Sequence, residues 1–331
     1  MQKQKVVVIG GGTGTHTVLK GLRKYQKHVD LAAIVTMADS GGSTGRLRDE
    51  FGYLPVGDVR MALAALGSAD DEYEELVRQL FLYRFEKGHG LSGHNFGNLL
   101  LVALTDILGG EEAAIRAAGR LLGVRGAVIP VTTEKVNLMA TYDDGVQLVG
   151  EHGIDEPDED RARHKIIALE VTPHATISEA AEAALLQADL IVIGPGDLYT
   201  SVLANCVVDG VSEAVRHATA KLVYVSNLMT KVGQTAGMGL AEHLSEITRY
   251  IGRHPDAVVV NTAPLPADLL ARYAADGEYP VVFNCETENC RIIPADLLAD
   301  EVVQKSRGDV LKRSLIRHDS RKLARKLIGL L

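Results

Sequence analysis

Four branched apolar residues in succession, Val6-Val7-Val8-Ile9, run directly into Gly10-Gly11-Gly12-Thr13-Gly14. An unbroken run of this kind reads as a strand covered on both faces, as in the middle of a parallel sheet. The glycines, having no Cβ, let the chain turn sharply and come close to a ligand. Apolar residues then resume at helical spacing with Val18, Leu19 and Leu22. A strand, a glycine turn and a helix in that order leave free N–H groups at a helix N-terminus, a setting that favours phosphate or another anion. The dinucleotide fingerprint is only partly met: Gly10 and Gly12 fit, and Thr15 stands where its last glycine belongs. A strand–helix turn without a ligand accounts for the same residues.

The pattern recurs. Leu31 to Thr36 reads as a second strand opening into Met37 to Arg48, a loop carrying Asp39, Ser40, Gly41, Gly42, Ser43 and Arg46. Hydroxyls donate to oxyanions, Arg46 can grip phosphate bidentately, and Asp39 is placed to meet a ribose hydroxyl or a metal ion. Asp58 is expected to N-cap a helix running to Leu66, with Arg60 set against the dipole in its first turn. Glu72 to Phe85 reads as an amphipathic helix with Leu76, Leu80 and Tyr83 inward. His94 and Asn98 lie in a glycine-rich loop before the apolar helix Leu99 to Leu108, either as ligand contacts or as cap and core hydrogen-bonders.

Further on, Val136 to Ile154 is expected to form a hairpin around Asp143-Asp144-Gly145, and Asp155 to Asp160 an exposed acidic loop. Lys165 to Val171 reads as a strand, and Ser178 as the cap of an alanine-rich helix. Leu190 to Ile193 is another buried strand, ending in Gly194, Gly196 and Ser201. Leu222 to Val225 leads to Asn227, Met229 and Thr230, and Thr235 is expected to start the next helix. Ala257 to Val260 is a further strand, Pro266 begins a helix with Leu269, Leu270 and Tyr273, and Val281 to Phe283 is expected to be the last strand. The Lys- and Arg-rich tail from Lys305 to Lys326 places Leu311, Leu315, Leu323 and Leu327 on one helix face. In a parallel sheet with right-handed crossovers all such strand ends lie on one edge, so the loops converge on one crevice.

Composition narrows the function. A net charge of −8 opposes broad nucleic-acid binding, and the absence of Trp with only 5 Phe opposes a base-stacking platform. Cys206, Cys285 and Cys290 form neither a disulfide framework nor a zinc knuckle. No signal-like start and no bilayer-length apolar run is present, so a cytoplasmic protein is expected, without a membrane span. No repeat or linker divides residues 1–331, which are read as one domain: an α/β, Rossmann-like parallel sheet flanked by helices, with a small β-hairpin insertion. No nucleophile–base–orienter set and no Walker lysine can be picked out.

Six stretches, in order, resemble one family: Gly10 to Gly14, Ala38 to Arg48, Pro55 to Arg60, Gly93 to Leu99, Ile193 to Ser201, and Asn227 to Thr230. They resemble the family joining the 2-phospho-L-lactate transferases of coenzyme F420 synthesis to the gluconeogenesis factors (YvcK-like proteins). The Gly-Gly-Gly-Thr-Gly start is similar to the gluconeogenesis-factor branch. That resemblance implies a cytoplasmic binder of UDP-sugars such as UDP-N-acetylglucosamine, linking carbon metabolism to cell-wall synthesis and cell shape, without established catalysis, cofactor or resident metal. It also implies a homodimer and a regulatory protein partner. The transferase branch implies phospholactyl transfer from a guanosine diphosphate donor to a deazaflavin alcohol with magnesium. Ser40, Met61 and Lys231-Val232 depart from the family pattern, and the carboxylate missing at Ser40 weakens a metal-assisted transfer. By position, Gly12, Thr13, Asp39, Ser43, Asn98 and Gly196 would line the nucleotide crevice, with Asn227 and Thr230 beside it. The resemblance adds Tyr273 for base stacking and Arg317 for diphosphate contact.

Overall fold

The structure is a computed structural model that describes residues 3–68, 70–284, 290–300 and 314–331. Cys285 and Leu311 lie outside the described residues. The strands are β1 (Gln4–Gly10), β2 (Val29–Val35), β3 (Ala127–Pro130), β4 (Asn137–Tyr142), β5 (Gln147–Val149), β6 (Ile166–Thr172), β7 (Leu190–Ile193), β8 (Lys221–Val225), β9 (Ala257–Asn261) and β10 (Arg291–Ala295). Seven of them form a parallel sheet in the order β10-β9-β8-β7-β1-β2-β3. The central strands β1 and β7 are the unbroken apolar runs, and Val6, Val8, Ile9 and Leu190 to Ile193 are all fully buried. Helices cover both faces, which is why these strands show no polar alternation. The Rossmann-like α/β class read from the sequence is the class observed.

The insertion is larger than a hairpin. β4 pairs antiparallel with both β5 and β6, giving a separate sheet in the order β5-β4-β6. Burial alternates along β4, as expected of a sheet with one wet face. The expected hairpin to Ile154 stops at Val149, because Gly150 turns at φ +110° and Glu151–Asp155 coils into a short helix. The strand expected from Lys165 joins this small sheet rather than the large one.

Five helices matter below: α1 (Gly12–Leu22), α2 (Gly42–Phe51), α3 (Gly57–Leu66), α4 (Glu72–Leu82) and α5 (Phe96–Leu108). The loop read from Met37 to Arg48 is shorter than expected, since α2 already begins at Gly42. In α4 the facing is reversed. Leu76, Leu80 and Tyr83 are exposed, Phe81 is buried and Val77 packs beside it on the core. Both stripes satisfy helical spacing, and packing, not periodicity, selects between them. Thr235 lies in a turn, accepting at Oγ1 from Lys231 N–H, and the next helix is Leu240–Ile251. Val281 to Phe283 is not a strand: Val281 N–H is spent on the Leu228 carbonyl. The edge strand is β10, where Pro294 is tolerated because an edge needs fewer donors. The tail forms the helix Ser320–Ile328, capped by Asp319, with Leu323 and Leu327 fully buried. It packs on α1 so closely that a Cβ on Gly21 would stand 2.0 Å from the Ser320 carbonyl.

Candidate functional site

The strand order reverses between β1 and β7. From β1 the chain moves outward through β2 and β3, and from β7 it moves the other way through β8 to β10. Loops after β1 and β7 therefore diverge at their C-terminal ends and leave a crevice at the switch point. Gly10 to Gly14 form one wall, and Gly194, Gly196 and Ser201 form the other. The two loops touch: a Cβ on Gly14 would lie 1.9 Å from the Pro195 carbonyl, and one on Gly12 would reach Ser201 Oγ at 3.9 Å. Gly12 takes φ +60°, a backbone state that favours glycine. Thr13 sits beside it in the first turn of α1. The Asn227 side chain, after β8, donates to the Gly196 carbonyl at 2.7 Å and ties the third loop to the second.

Carboxylates line this crevice. Asp58 is not the N-cap of α3; Val56 holds that position. Asp58 Oδ1 instead accepts the Gly12 N–H across the crevice at 2.8 Å. An internal carboxylate thus meets the amide that the sequence marks for a ligand anion. Asp39 accepts the Gly41 N–H at 2.9 Å, and Gly57 leaves room for it, since a Cβ there would be 2.4 Å from Asp39 Oδ2. Desolvation raises the Asp58 carboxyl to about 7, with the Asp39 charge as the next cause. Burial likewise raises Asp39.

The insertion adds to the same cluster. Ser40 N–H donates to Glu151 Oε2 at 3.3 Å, and Ser40 Oγ accepts the His152 N–H at 3.0 Å. Burial drives the Glu151 carboxyl well above its ordinary range, with repulsion from Asp39 and Asp155 adding to it. Asp155, expected in an exposed acidic loop, is half-buried: it accepts from Thr200 Oγ1 at 2.9 Å and Gln234 Nε2 at 3.1 Å. Lys231 Nζ donates to Asp155 Oδ1 at 2.5 Å and to Asp197 Oδ2 at 2.9 Å. Glu151, Asp155, Asp197 and Lys231 are absent from the sequence-predicted site. The i, i+4 spacing of Glu151 and Asp155, which puts both on one helix face, was the available signal.

A second polar group stands behind α2. Ser43 Oγ accepts from Asn98 Nδ2 at 3.2 Å and from Asn95 N–H at 3.3 Å, and meets His94 Nδ1 at 3.1 Å. Two incoming N–H bonds occupy both lone pairs, so the hydroxyl gives its proton to His94. Burial lowers the His94 pKa, which keeps the ring neutral and able to accept. Ser43 is thus buried and fully hydrogen-bonded within the protein. Arg60, also buried, donates Nε–H to Asn98 Oδ1 at 2.8 Å. Ser43, Arg60, His94 and Asn98 are therefore brought together as the support of the Asp39 loop. Arg46 reaches outward to the Ser92 carbonyl at 3.1 Å.

The remaining residues gather elsewhere. Thr230 exchanges two hydrogen bonds with Tyr279. Met229 packs with Leu269, Tyr273 and Ile316 in a separate small cluster. The Tyr273 ring is buried there, and its hydroxyl accepts the Leu315 and Ile316 N–H groups at 2.7 and 3.2 Å. Tyr273 thus fastens the C-terminal segment. Arg317 Nε donates to the Ser314 carbonyl at 3.0 Å, and Arg317 makes the smallest contribution to the lowered His16 pKa, behind burial and the charges of Lys20, Arg78 and Arg60. Among the described residues no helix is long and apolar enough to cross a membrane.

Comparison with known proteins agrees with this architecture. The family model described as 2-phospho-L-lactate transferase CofD matches residues 6–298. The gluconeogenesis factor of Bacillus subtilis is 38% identical over 331 residues, covering 100% of this chain and 99% of that protein. The putative gluconeogenesis factor of Thermotoga maritima is 39% identical, over 97% of both chains. A crystal structure from Bacillus halodurans, of a protein described as a member of the UPF0052 family, superposes with a TM-score of 0.88 at 36% identity over 99% of each chain.

Proposed function

The chain belongs to the 2-phospho-L-lactate transferase CofD family, and we propose that within it the chain is a regulatory protein that binds a nucleotide sugar of the UDP-N-acetylglucosamine kind. The ligand would lie across the switch-point crevice, its diphosphate toward the glycine turn of α1. We place this role in the cytoplasm, during growth on gluconeogenic carbon, with cell-wall homeostasis and shape as the output through a protein partner. A homodimer is proposed by family analogy. The observation that carries this reading is the saturation of Ser43: the hydroxyl–imidazole contact beside the crevice is locked in a buried network. What remains at the rim is backbone amide, hydroxyl, carboxylate and the Lys231 ammonium, suited to holding a ligand.

One observation favours transfer chemistry as a second reading. Asp39 and Asp58 are half-buried carboxylates whose pKa values are raised by desolvation, with the Asp39 charge adding to the shift at Asp58, and a divalent cation would relieve that repulsion. These two residues would hold the magnesium that a phospholactyl transferase uses, and bound there it would polarise a phosphoryl oxygen. Ser40 offers a hydroxyl, not a second carboxylate, next to Asp39, and it is engaged with Glu151 and His152.

Calorimetry with UDP-N-acetylglucosamine against GDP, each with and without magnesium, separates the two. The regulatory reading expects saturable UDP-sugar binding. Tight GDP and deazaflavin binding with no UDP-sugar affinity would overturn it. Native mass spectrometry of the purified protein would identify a co-purified nucleotide directly.

A further inference from the structure

We propose that Lys231 is the cation that receives the ligand's diphosphate, aimed into the crevice by Asp155 and Asp197; this rests on the nucleotide-diphosphate reading above. Asp39, Asp58, Glu151, Asp155 and Asp197 repel one another through the crevice. A diphosphate entering a site already crowded with carboxyl groups needs a countercharge of its own. Arg60 lies near enough to Asp39 and Asp58 to stabilise their charge, but it is buried, with its Nε–H on Asn98. Lys231 is at the rim itself.

Its position follows from the sheet. Lys231 comes after β8, next to β7, and Asp197 belongs to the loop whose Pro195 carbonyl rests on Gly14. One loop therefore separates the ammonium from the amides of the glycine turn. An ammonium has three N–H donors. Asp155 and Asp197 take two, from different segments, one on the insertion and one on the main sheet. Holding two donors leaves the third in a defined direction, so a phosphate oxygen meets a preorganised charge instead of a freely rotating side chain. Burial opposes the charge, yet the two carboxylates outweigh it and raise the Lys231 pKa, so the ammonium persists at neutral pH.

A purely structural bridge between insertion and sheet makes a different prediction, so the test compares ligands with and without phosphate. Full-length wild type, Lys231→Met and Lys231→Arg are titrated calorimetrically with UDP-N-acetylglucosamine, uridine and inorganic pyrophosphate. Losing a charge-assisted hydrogen bond should weaken the sugar nucleotide and pyrophosphate about 10- to 100-fold in Lys231→Met. Uridine should stay within about twofold, and Lys231→Arg should keep most of the pyrophosphate affinity. Asp197→Asn, which retains the lysine and removes a competing charge, should bind pyrophosphate more tightly. Undiminished pyrophosphate binding by Lys231→Met overturns the proposal, as does an equal loss for uridine and pyrophosphate, or a wild type that binds no pyrophosphate. Should Lys231→Met fail to fold, an Asp197→Asn affinity that is unchanged or weaker overturns it. Wild type binding pyrophosphate but neither uridine ligand would instead overturn the nucleotide-sugar reading and leave Lys231 judged on pyrophosphate alone.

Discussion

Two polar regions meet at the C-terminal edge of the large sheet, one buried and one half-buried, and they are built on opposite terms. Behind α2, Ser43, His94, Asn98 and Arg60 form a network in which donors and acceptors match. In the crevice, Asp39, Asp58, Glu151, Asp155 and Asp197 crowd carboxylates together, with the Lys231 ammonium on Asp155 and Asp197 and Arg60 near Asp39 and Asp58. A matched network stabilises one arrangement of loops. A charge cluster that repels itself costs folding energy, and such sites are characteristic of function. The first region is thus the support and the second is the part that awaits a ligand.

The largest effect should come from the contact that joins the two walls of the crevice. A Cβ on Gly14 would stand 1.9 Å from the Pro195 carbonyl, backbone against backbone with nothing soft to yield. Gly14→Ala should cost about 3 kcal/mol or more and pull apart the two walls of the crevice. Gly42→Ala is the sharper control: nothing lies within 4 Å of its Cβ, and only φ +49° opposes it. It should cost about 1 kcal/mol. Urea midpoints of both variants measure the difference, and equal losses would mean that the loop contact contributes little.

Next comes the supporting network. Asn98→Ala removes the acceptor of Arg60 Nε–H and one donor to Ser43, leaving a buried guanidinium N–H short of a partner. About 1–3 kcal/mol should be lost. Asn98→Asp keeps the acceptor for Arg60 and should recover part of it. A loss below about 0.5 kcal/mol in the alanine variant would show that water replaces the network and that the two regions are less different than drawn here.

The charged region should answer to pH instead. Asp58 holds its proton up to about 7 when folded, against an ordinary value of 3.8. Between those values the folded chain binds a proton that the unfolded chain has released. This group's contribution is therefore fully present below about pH 4 and is lost as pH rises through 7. Thermal melts of the ligand-free protein should show stability declining across that window, and Asp58→Asn should flatten the decline. An unchanged slope in the variant would place the titrating burden on Glu151 or Asp39.

Much of this was legible in the chain itself, for identifiable reasons. The branched apolar runs at Val6 to Ile9 and Leu190 to Ile193 mark central strands because a strand buried on both faces has no other composition. The glycine turns marked the strand ends. The partner of Asp58 was hidden because Gly12 lies 46 residues away, and helix-start chemistry supplied a local explanation that the fold did not use. Asp155 was hidden because a run of acidic residues ordinarily faces water, whereas here the short helix Glu151–Asp155 turns it inward to Lys231. Long-range charge pairing leaves no period in a sequence, and that is where local inference failed.

The smallest expected effect lies outside both regions, on the helix whose facing the sequence could not decide. Leu76 is 62% exposed on α4, while Phe81, one turn on and on the other stripe, is 2% exposed. Leu76→Gln removes apolar surface that already meets water, and glutamine suits a helix nearly as well as leucine. Its stability should stay within about 0.5 kcal/mol of wild type, setting the floor against which the glycine, asparagine and aspartate variants are read. If Leu76→Gln instead costs as much as Asn98→Ala in the same urea titration, α4 is covered in solution. In that case the stripe of Leu76, Leu80 and Tyr83 buries apolar area after all, and both stripes of the helix contribute to the stability being compared.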